Sequence, residues 1–367
     1  MRLFLERLEQ VFRNYFTYPL LRRLLRNKPF LGEIDIKGVR SVLILRYDKI
    51  GDMIVTGPVF RILKSRNPRL RVGVIASPIN QAIIEHDPHV DKRYVIGLNP
   101  LADLIEIVRA RRARYEVVLN LVFNRTTSGA LLANLIAPGG TKVGQGDERY
   151  AFYYNRLLQL PRMQVPMTEV LATYLEEVFG FRIKKAELDL SLNVPTASRS
   201  LVNQFLISHG LKKKNYAVVN LSVGEEIRKL TKAQYIAAIA FLRNVCRLPV
   251  VLIFMASERK VADELAESSF AVRFPNSGTA SLLEVAALIE MARIVVSPET
   301  SIVHFAAASN TPVVALYSSQ KLDGEWVPFR VPHRMVTAPG NAPASHIASL
   351  AIEKATKDLL AETRRSR

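Results

Sequence analysis

A glycine and an aspartate, Gly51 and Asp52, follow the first apolar run of the chain, at residues 42–45. The run predicts a buried parallel strand, and open α/β sheets bind ligands in the crevice beyond the carboxyl ends of such strands. Gly51 would let the backbone turn sharply or approach a ligand closely. Asp52 would then start a helix and point into the crevice, or it would act only as a helix cap.

Hydroxyl groups and a histidine form a second group, within residues 297–304. Thr300, Ser301 and His304 lie between an apolar run at 294–296 and a helical pattern at 301–309. The backbone N–H groups and the dipole at a helix N-terminus form an anion site that suits a diphosphate, and the two hydroxyls add hydrogen-bond donors. The alternative is a simple N-cap, with His304 as a core residue.

Two basic residues, Arg228 and Lys229, lie in a third loop, which begins at Ser222 after the apolar run 217–221. From just before a helix they could reach phosphate oxygens, and a guanidinium does so with two parallel hydrogen bonds. A solvated basic turn is the alternative. All three groups follow strands, and they occur in both halves of the chain, where a two-domain transferase would place its cleft.

Alternating strands and helices must position these groups. The first half has apolar runs at 42–45, 71–76, 95–96 and 117–119, with helical patterns at 58–65 and 101–112. The second half has runs at 217–221, 250–254, 271–274, 294–296 and 313–317, with helical patterns at 231–246, 258–267, 281–291 and 301–309. This alternation predicts an α/β protein with a doubly wound parallel sheet in each half.

Pro195 interrupts the periodicity between the two halves and predicts a domain boundary. We expect an N-terminal domain over 39–195, a C-terminal domain over 196–345, and a last helix with a basic tail over 346–367. Residues 1–38 form an extension in which apolar residues recur every three or four positions before Pro19 interrupts the pattern. With seven Lys or Arg and two Glu, the first 31 residues predict a basic amphipathic helix that lies on an anionic membrane or packs on the protein body.

The charge of the chain favours acidic partners. Its 367 residues carry a formal net charge of +18, which attracts nucleic acid, acidic lipid head groups or phosphorylated glycolipid. No nucleic-acid-binding motif is recognisable, so nucleic acid is not expected as a partner. With one cysteine, no secretory signal and no apolar run of about 20 residues, the chain is expected to be cytoplasmic, with the inner face of the cytoplasmic membrane as its candidate peripheral surface.

The order and spacing of these segments resemble the ADP-heptose:lipopolysaccharide heptosyltransferases, glycosyltransferase family 9. That family follows its first strand with a basic residue, Gly-Asp, Thr and Pro, which are matched here by Arg46, Gly51, Asp52, Thr56 and Pro58. Its second domain has an Asp-Thr-Gly-x-x-His-like stretch, matched by residues 299–304, and residues 125–144 look like its middle segment. The resemblance implies two Rossmann-like domains that face each other across a cleft, the GT-B type.

The resemblance also implies a mechanism. Asp52 would be the general base that takes a proton from an acceptor hydroxyl, which attacks the anomeric carbon of ADP-heptose with inversion and releases ADP. The residues assigned to the donor are Ser222, Arg228, Lys229, Glu258, Glu299, Thr300, Ser301 and His304. Those assigned to the acceptor, the acidic glycolipid of the lipopolysaccharide inner core, are Arg46, Lys49, Gly51 and Arg125. No cofactor and no metal are expected, since cations and the helix dipole replace the metal.

Three positions depart from the family pattern. Glu299 stands in place of an Asp, Ser301 in place of a Gly, and Leu221-Ser222 in place of a Pro-Gly. Two alternatives therefore stay open: the same fold with a different nucleotide sugar, and a catalytically silent adaptor that binds membrane or glycolipid. The four arginines at 109, 111, 112 and 114 are also open to two interpretations, an acceptor contact or a solvated helix end.

Overall fold

The computed structural model describes residues 18–25, 27–123, 126–321 and 324–365. The first half contains α1 (Tyr18–Leu25), β1 (Ser41–Leu45), α2 (Ile50–Arg66), β2 (Arg71–Ala76), β3 (Lys92–Val95), α3 (Pro100–Arg112), β4 (Val117–Asn120), α4 (Thr126–Ile136), β5 (Thr141–Gln145), β6 (Arg156–Leu158) and α5 (Met167–Phe179). The second half contains α6 (Thr196–Ser208), β7 (Ala217–Asn220), α7 (Lys232–Ala240), β8 (Val250–Ile253), α8 (Arg259–Ser269), β9 (Val272–Phe274), α9 (Leu282–Met291), β10 (Ile294–Pro298), α10 (Ser301–Ala308), β11 (Val313–Tyr317), β12 (His333–Thr337) and α11 (Ser349–Arg365).

The strands form two six-stranded sheets with the same internal order. The first sheet runs β3-β2-β1-β4-β5-β6 and the second runs β12-β11-β10-β7-β8-β9, and neighbouring strands are parallel. Counted from its own first strand, each sheet has the 3-2-1-4-5-6 order of a Rossmann fold. The prediction of an α/β protein with two Rossmann-like domains is confirmed, and α1 is a small addition to it.

Helices cover both faces of the first sheet, which explains why its central strands consist mostly of apolar residues. All five residues of β1 are buried, and Val42 lies opposite Val72 of β2 and Val117 of β4. Ile44 packs into the core that includes α2 and α5, whereas Leu43 and Leu45 pack with α3 and α4 on the other face. The sheet therefore holds the carboxyl ends of β1 and β4 at fixed positions.

The two domains meet near the N-termini of two helices, α2 from the first and α10 from the second. Each of these helices follows a central strand of its sheet, β1 or β10. After Pro195, α6 packs against α9 of the second domain, and α11 packs on β11 and β12. The carboxyl ends of the central strands in both sheets consequently face one cleft.

Several elements differ from the sequence expectations. Helix α2 begins at Ile50, close to the start expected at Asp52 and eight residues before the helical pattern at 58–65, so that Pro58 lies inside the helix. Proline favours the first turn of a helix, but the buried residues on both sides of Pro58 hold this helix in the core regardless. Strand β3 covers Lys92–Val95 instead of 95–96, and the last helix begins at Ser349 instead of near 345. The pattern at 231–246 divides into α7 and a π-helical turn over Phe241–Val245.

Part of the N-terminal extension packs on the protein body. In α1, Tyr18 contacts the rings of Tyr150, Phe152 and Tyr153, while Pro19 lies within the helix instead of interrupting it. Proline fits there because the first helical turn does not use its N–H group. The amphipathic pattern before residue 18 lies outside the described residues. Within the part of the chain that the structure covers, there is no helix of the length and apolar character needed to cross a membrane.

Candidate active site

Asp52 lies in the first turn of α2, just beyond the carboxyl end of β1, and is 9% exposed. Arg46, the residue after β1, holds it in place. The Arg46 Nη2 atom lies 3.2 Å from Asp52 Oδ1, and Arg46 Nε donates to the Asp52 backbone carbonyl over 3.0 Å. A fixed carboxylate thus stands at the edge of the sheet where open α/β proteins bind ligands.

Arg46 itself is only 1% exposed. Its Nη1 atom lies 3.3 Å from Asp48 Oδ2 and also donates to the carbonyl of Leu121, while Asn80 Nδ2 donates to the Arg46 carbonyl over 3.0 Å. The resemblance assigns Arg46 to the acceptor, but in this structure the side chain has no surface that an acceptor could contact. Arg46 is instead a residue that positions Asp52.

The surroundings of Asp52 change its acidity. Burial raises the pKa of the Asp52 carboxyl to about 6, although the Arg46 guanidinium acts to lower it. Asp48 adds to the rise, whereas His304 and Lys49 act against it. A carboxyl group with this pKa is ionised at neutral pH and still accepts a proton readily, which is the property of a general base.

The two domains contact each other at Gly51, which has no side chain. A Cβ atom at Gly51 would stand 2.8 Å from His304 Cδ2 and 3.7 Å from the Cα of Ser301. Ser301 and His304 belong to the first turn of α10, so the N-termini of α2 and α10 face each other. The structure therefore brings the Gly51-Asp52 pair together with Ser301 and His304, which the sequence contains in separate motifs.

His304 is a buried imidazole, 5% exposed. Burial lowers its pKa to about 4, although the Asp52 carboxylate acts to raise it, so the ring is neutral at neutral pH. Trp326 packs edge-on against it, with the ring centroids 5.9 Å apart. Among the described residues, Nδ1 of this ring is buried and has no hydrogen-bond partner. A bound ligand could supply that hydrogen bond.

An asparagine connects the loops that precede α10 and follow β7. Asn220 Nδ2 donates to Thr300 Oγ1 over 3.1 Å and to Ser297 Oγ over 3.0 Å, while Asn220 Oδ1 accepts from the Ser222 N–H over 3.0 Å. Thr300 also caps α10, because its hydroxyl accepts from the Ile302 N–H. Ser222 and Thr300 therefore lie in one network at the positive end of α10. The sequence analysis did not single out Asn220; its polar side chain at the end of an apolar strand is the signal that could have identified it.

Arg228 reaches the same helix N-terminus. Its Nη2 atom lies 3.1 Å from Glu299 Oε1, and Nη1 donates to the Glu299 carbonyl over 3.2 Å. Lys229 behaves differently, since its ammonium pairs with Glu226 at 3.5 Å and half of its side chain is exposed. Of the two basic residues predicted for phosphate binding, Arg228 is the one beside Thr300 and Ser301.

A cavity of about 560 Å³ lies next to this loop in the second domain. Lys229, Glu258 and Tyr235 line it together with the apolar residues Leu221, Ile227 and Val261. Glu258 accepts hydrogen bonds from the Met255 N–H and from Ser257 Oγ, which fix the carboxylate. The Tyr235 hydroxyl is buried without a partner among the described residues. An apolar cavity with a few polar groups on its wall suits a nucleoside.

The remaining predicted residues lie apart from this network. Lys49 is exposed and directly precedes α2, whereas Arg125 lies outside the described residues. Across the described ranges, no group of three or more His, Cys, Asp or Glu side chains could hold a metal ion.

An ion pair between the domains lies beside the site and had no sequence signal. Arg162, in the loop after β6, places Nε 2.6 Å from Glu325 Oε1 and Nη2 2.8 Å from Glu325 Oε2. The Met163 N–H also donates to Glu325 Oε1 over 2.7 Å. Glu325 precedes Trp326, the residue that packs on His304. Arg162 lies in a loop and Glu325 in the short 3₁₀ helix Gly324–Trp326, 163 positions apart, so no local spacing could reveal the pair.

Comparison with known proteins identifies the family. The model of glycosyltransferase family 9 (heptosyltransferase) matches residues 106–346, more than half of the 367-residue chain. Lipopolysaccharide heptosyltransferase 3 of Escherichia coli is 22% identical over 281 residues, which cover 73% of this chain and 81% of that protein.

Solved structures share the fold. The family 9 glycosyl transferase from Veillonella parvula gives a TM-score of 0.77 at 16% identity, over 90% of this chain and 99% of that one. The ADP-heptose lipopolysaccharide heptosyltransferase II of E. coli gives 0.69 at 18% identity, over 88% and 99%. At these identities the structures show the two-domain fold, and the family match shows the class. The chain therefore belongs to glycosyltransferase family 9 and is a glycosyltransferase.

Proposed function

We propose that this enzyme transfers a heptose from ADP-heptose to a hydroxyl group of the lipopolysaccharide inner core, with inversion at the anomeric carbon. The observation that carries the proposal is the placement of the Asp52 carboxylate against the N-terminus of α10, through the Gly51–His304 contact. A base from one domain and an anion site from the other then meet across one cleft. We infer the heptose donor and the lipopolysaccharide acceptor from the names of the relatives from E. coli.

Asp52 is the general base in this proposal. Its carboxylate takes the proton of the acceptor hydroxyl while the hydroxyl oxygen forms a bond to the anomeric carbon. The bond from that carbon to the diphosphate oxygen breaks, and its electron pair leaves with ADP. Because attack and departure occur on opposite faces of the sugar, the configuration inverts. Arg46 keeps the carboxylate in position, and burial keeps its pKa high enough for proton transfer.

The diphosphate of the donor is assigned to the N-terminus of α10. The helix dipole, the backbone N–H groups near Ser301, the Thr300 hydroxyl and the Arg228 guanidinium favour negative charge there. The leaving ADP carries more charge at its terminal phosphate than the intact donor, so these groups stabilise the transition state more than the ground state. His304 Nδ1 supplies one further hydrogen bond to the donor.

The nucleoside is assigned to the cavity beside the Arg228 loop. Glu258 would accept hydrogen bonds from ribose hydroxyls, and the Tyr235 hydroxyl would gain the partner that it lacks in the described structure. On the first domain, Lys49 and Arg125 are assigned to the phosphorylated acceptor, which also fits the net charge of +18. Work on such an acceptor would place the enzyme at the inner face of the cytoplasmic membrane.

A different nucleotide sugar is the second candidate donor. It is favoured by the Arg228–Glu299 contact, because a carboxylate that already binds the guanidinium competes with a diphosphate for it. A donor with a different sugar could engage Glu299 directly and release Arg228 for the phosphate. This candidate keeps Asp52 as the base and changes only the specificity.

A transfer assay with several donors tests the proposal. The enzyme is incubated with a lipopolysaccharide acceptor that lacks the heptose, and with ADP-heptose or the UDP, GDP and CMP sugars at matched concentrations. We expect product from ADP-heptose, with the opposite anomeric configuration by NMR spectroscopy. Product from another donor would show that the enzyme uses a different nucleotide sugar and would leave the proposed mechanism unchanged. Retention of configuration would refute the single displacement, and no product from any donor would favour the silent adaptor.

A further inference from the structure

Helix α3 carries its larger apolar side chains on the outside of the protein. Leu101, Leu104, Ile105 and Val108 follow the i, i+3, i+4, i+7 spacing of one helix face, and they are 69%, 55%, 53% and 36% exposed. On the inner face, only Ala110 is buried and Ile107 is partly buried. A helix that merely covers a sheet has the reverse arrangement. Within the described ranges no other segment covers this outer stripe, which points to a function other than packing.

Helix α4 extends the stripe. It lies beside α3 on the same face of the first sheet and carries two more exposed leucines, Leu131 and Leu135. Arg111 of α3 donates to the Leu135 carbonyl over 2.6 Å and so connects the two helices. Helix α4 has no charged residue at all. Because neighbouring helices on one face of a sheet share an outer surface, the two sets of apolar residues form one surface, here named the α3–α4 surface.

Arginines border this surface. Arg109, Arg111, Arg112 and Arg114 are exposed at the C-terminal end of α3. The two acidic residues of α3 are engaged within the same element and its preceding loop: Asp103 accepts from the N–H groups of Gly97 and Leu98, and Glu106 pairs with Arg109. An apolar surface with a cationic edge is complementary to a layer that is apolar inside and anionic at its border.

The position of the surface relates it to the active site. The N-termini of α3 and α4 lie at the edge of the sheet that also carries Asp52, because each follows the carboxyl end of a parallel strand. The Tyr47 hydroxyl, in the loop that leads to Asp52, lies 3.3 Å from Ser128 Oγ in the first turn of α4. A flat partner on the α3–α4 surface would therefore lie close to the mouth of the cleft.

We propose that the α3–α4 surface docks the protein on an anionic lipid bilayer. The leucines and Ile105 enter the boundary between head groups and acyl chains, and the arginines at 109–114 bind lipid phosphates. None of these residues belongs to the donor or base machinery, so the inference stands apart from the identity of the sugar. The arginines at 109, 111, 112 and 114 would then bind lipid, instead of contacting the acceptor or forming a solvated helix end.

Vesicle sedimentation with a matched pair of variants tests the inference. The vesicles contain phosphatidylcholine alone or with phosphatidylglycerol. The test variant is Leu104→Glu/Ile105→Glu, and the control is Leu201→Glu/Ile207→Glu, which places the same charges at exposed apolar positions of α6. We expect the parent chain and the control to bind the anionic vesicles, more weakly at high salt, and the test variant to bind at least about tenfold more weakly.

A fluorescent probe gives a readout that does not depend on the folding of the charged variant. Cys246 is the one cysteine of the chain, so an Ile105→Cys/Cys246→Ser variant carries a single environment-sensitive dye in the stripe. We expect its emission to shift to the blue on anionic vesicles, and a dye at Ile207→Cys/Cys246→Ser to stay unchanged. A thermal shift with ADP should be equal in all variants.

Four results would overturn the proposal. They are equal binding of the test variant and the parent chain, equal binding of the parent chain to neutral and anionic vesicles, no binding to either, and no response of the dye at position 105. Sedimentation velocity adds a fifth. If the parent chain is a dimer and Leu104→Glu/Ile105→Glu makes it a monomer without affecting lipid binding, a second copy of this chain occupies the surface instead.

Discussion

Gly51 in the first domain and His304 in the second domain are so close that a Cβ at Gly51 would stand 2.8 Å from His304 Cδ2. The two residues belong to α2 and α10, each of which follows a central strand of its own sheet. Trp326 packs against the imidazole, so the ring has little freedom to move away. The absence of a side chain at Gly51 is therefore a condition for the two halves of the site to meet.

Replacing this glycine should separate the domains. We expect Gly51→Ala to lower the free energy of unfolding by about 1–3 kcal/mol through overpacking, and to lower kcat by at least about tenfold. The control is Gly57→Ala in the same helix, where the nearest atom to an added Cβ is the Ser191 carbonyl oxygen at 3.7 Å. Alanine there should be neutral or stabilise by up to about 1 kcal/mol. Urea denaturation and transfer assays measure both; equal behaviour of the two variants would contradict the contact.

Asp52 and His304 should give opposite dependences of stability on pH. The pKa of Asp52 is about 6 in the folded state and 3.8 ordinarily, so this residue favours folding below pH 4 and loses that contribution as pH rises through 6. The pKa of His304 is about 4 in the folded state and 6.5 ordinarily, so its neutral ring favours folding above pH 6.5, and the contribution is lost as pH falls through 4. The two effects oppose each other in the same window.

Single variants should separate these effects. Relative to the parent chain, Asp52→Asn should become more stable as pH rises from 4 to 6, whereas His304→Gln should become more stable as pH falls from 6.5 to 4. Each change should amount to about 2–3 kcal/mol. Urea denaturation at several pH values measures the differences. Parallel curves for the parent chain and both variants would show that neither group is buried as described.

Arg228 and Lys229 should differ in their effect on donor binding. Arg228 lies beside the N-terminus of α10 with its side chain 17% exposed, whereas the side chain of Lys229 is 50% exposed and pairs with Glu226. We expect Arg228→Ala to weaken ADP binding by about 2 kcal/mol, the value of a charge-assisted hydrogen bond, and Lys229→Ala to weaken it by less than about 1 kcal/mol. Isothermal titration with ADP measures both. If Lys229→Ala weakened ADP binding more than Arg228→Ala, the phosphate site would lie nearer to the cavity than proposed.

The ion pair between Arg162 and Glu325 should couple the two domains. The Glu325 side chain is fully buried and that of Arg162 is 21% exposed, so loss of one partner leaves a charge with little water around it. Arg162→Met and Glu325→Gln should each lower the free energy of unfolding by about 3 kcal/mol, and the double variant by much less than their sum. The exposed pair Arg334–Glu362 is the control, with an expected coupling below about 1 kcal/mol. Additive losses at Arg162 and Glu325 would show that the pair does not act as a unit.

The sequence predicted most strands that are rich in apolar residues and missed two that carry several polar ones. β1, β7, β8, β10 and β11 consist largely of buried Val, Ile and Leu, which produce continuous runs. β5 and β12 carry Lys, Gln, His or Arg among their residues and therefore lack such a run. In β5, the buried ammonium of Lys142 donates to the carbonyls of Ala137 and Gly140, so a charged residue occupies an interior position by capping the preceding loop. The hydrogen bonds that make a buried lysine possible here depend on tertiary structure, which cannot be predicted from the local periodicity of the sequence.

The candidate site also contains residues with a local sequence signal and residues without one. Asp52, Thr300 and Arg228 are candidates from the sequence because they lie in segments that follow predicted strands, and the carboxyl ends of parallel strands mark the crevice. Arg162, Glu325 and Trp326 had no sequence signal, because they lie in a loop and a one-turn 3₁₀ helix that only the contact between the domains brings together. Arg46 was assigned to the acceptor from its position in the motif, whereas its burial, which sequence does not give, makes it a support for Asp52.

The most direct test of the central proposal is heptose transfer by Asp52→Asn, beside a surface control, Asp147→Asn, in the same domain. Loss of the base should lower kcat by at least about 10²-fold while the thermal shift produced by ADP stays that of the parent chain. Asp147→Asn should leave both quantities unchanged. If Asp52→Asn bound ADP normally and transferred heptose within about tenfold of the parent rate, Asp52 could not be the general base.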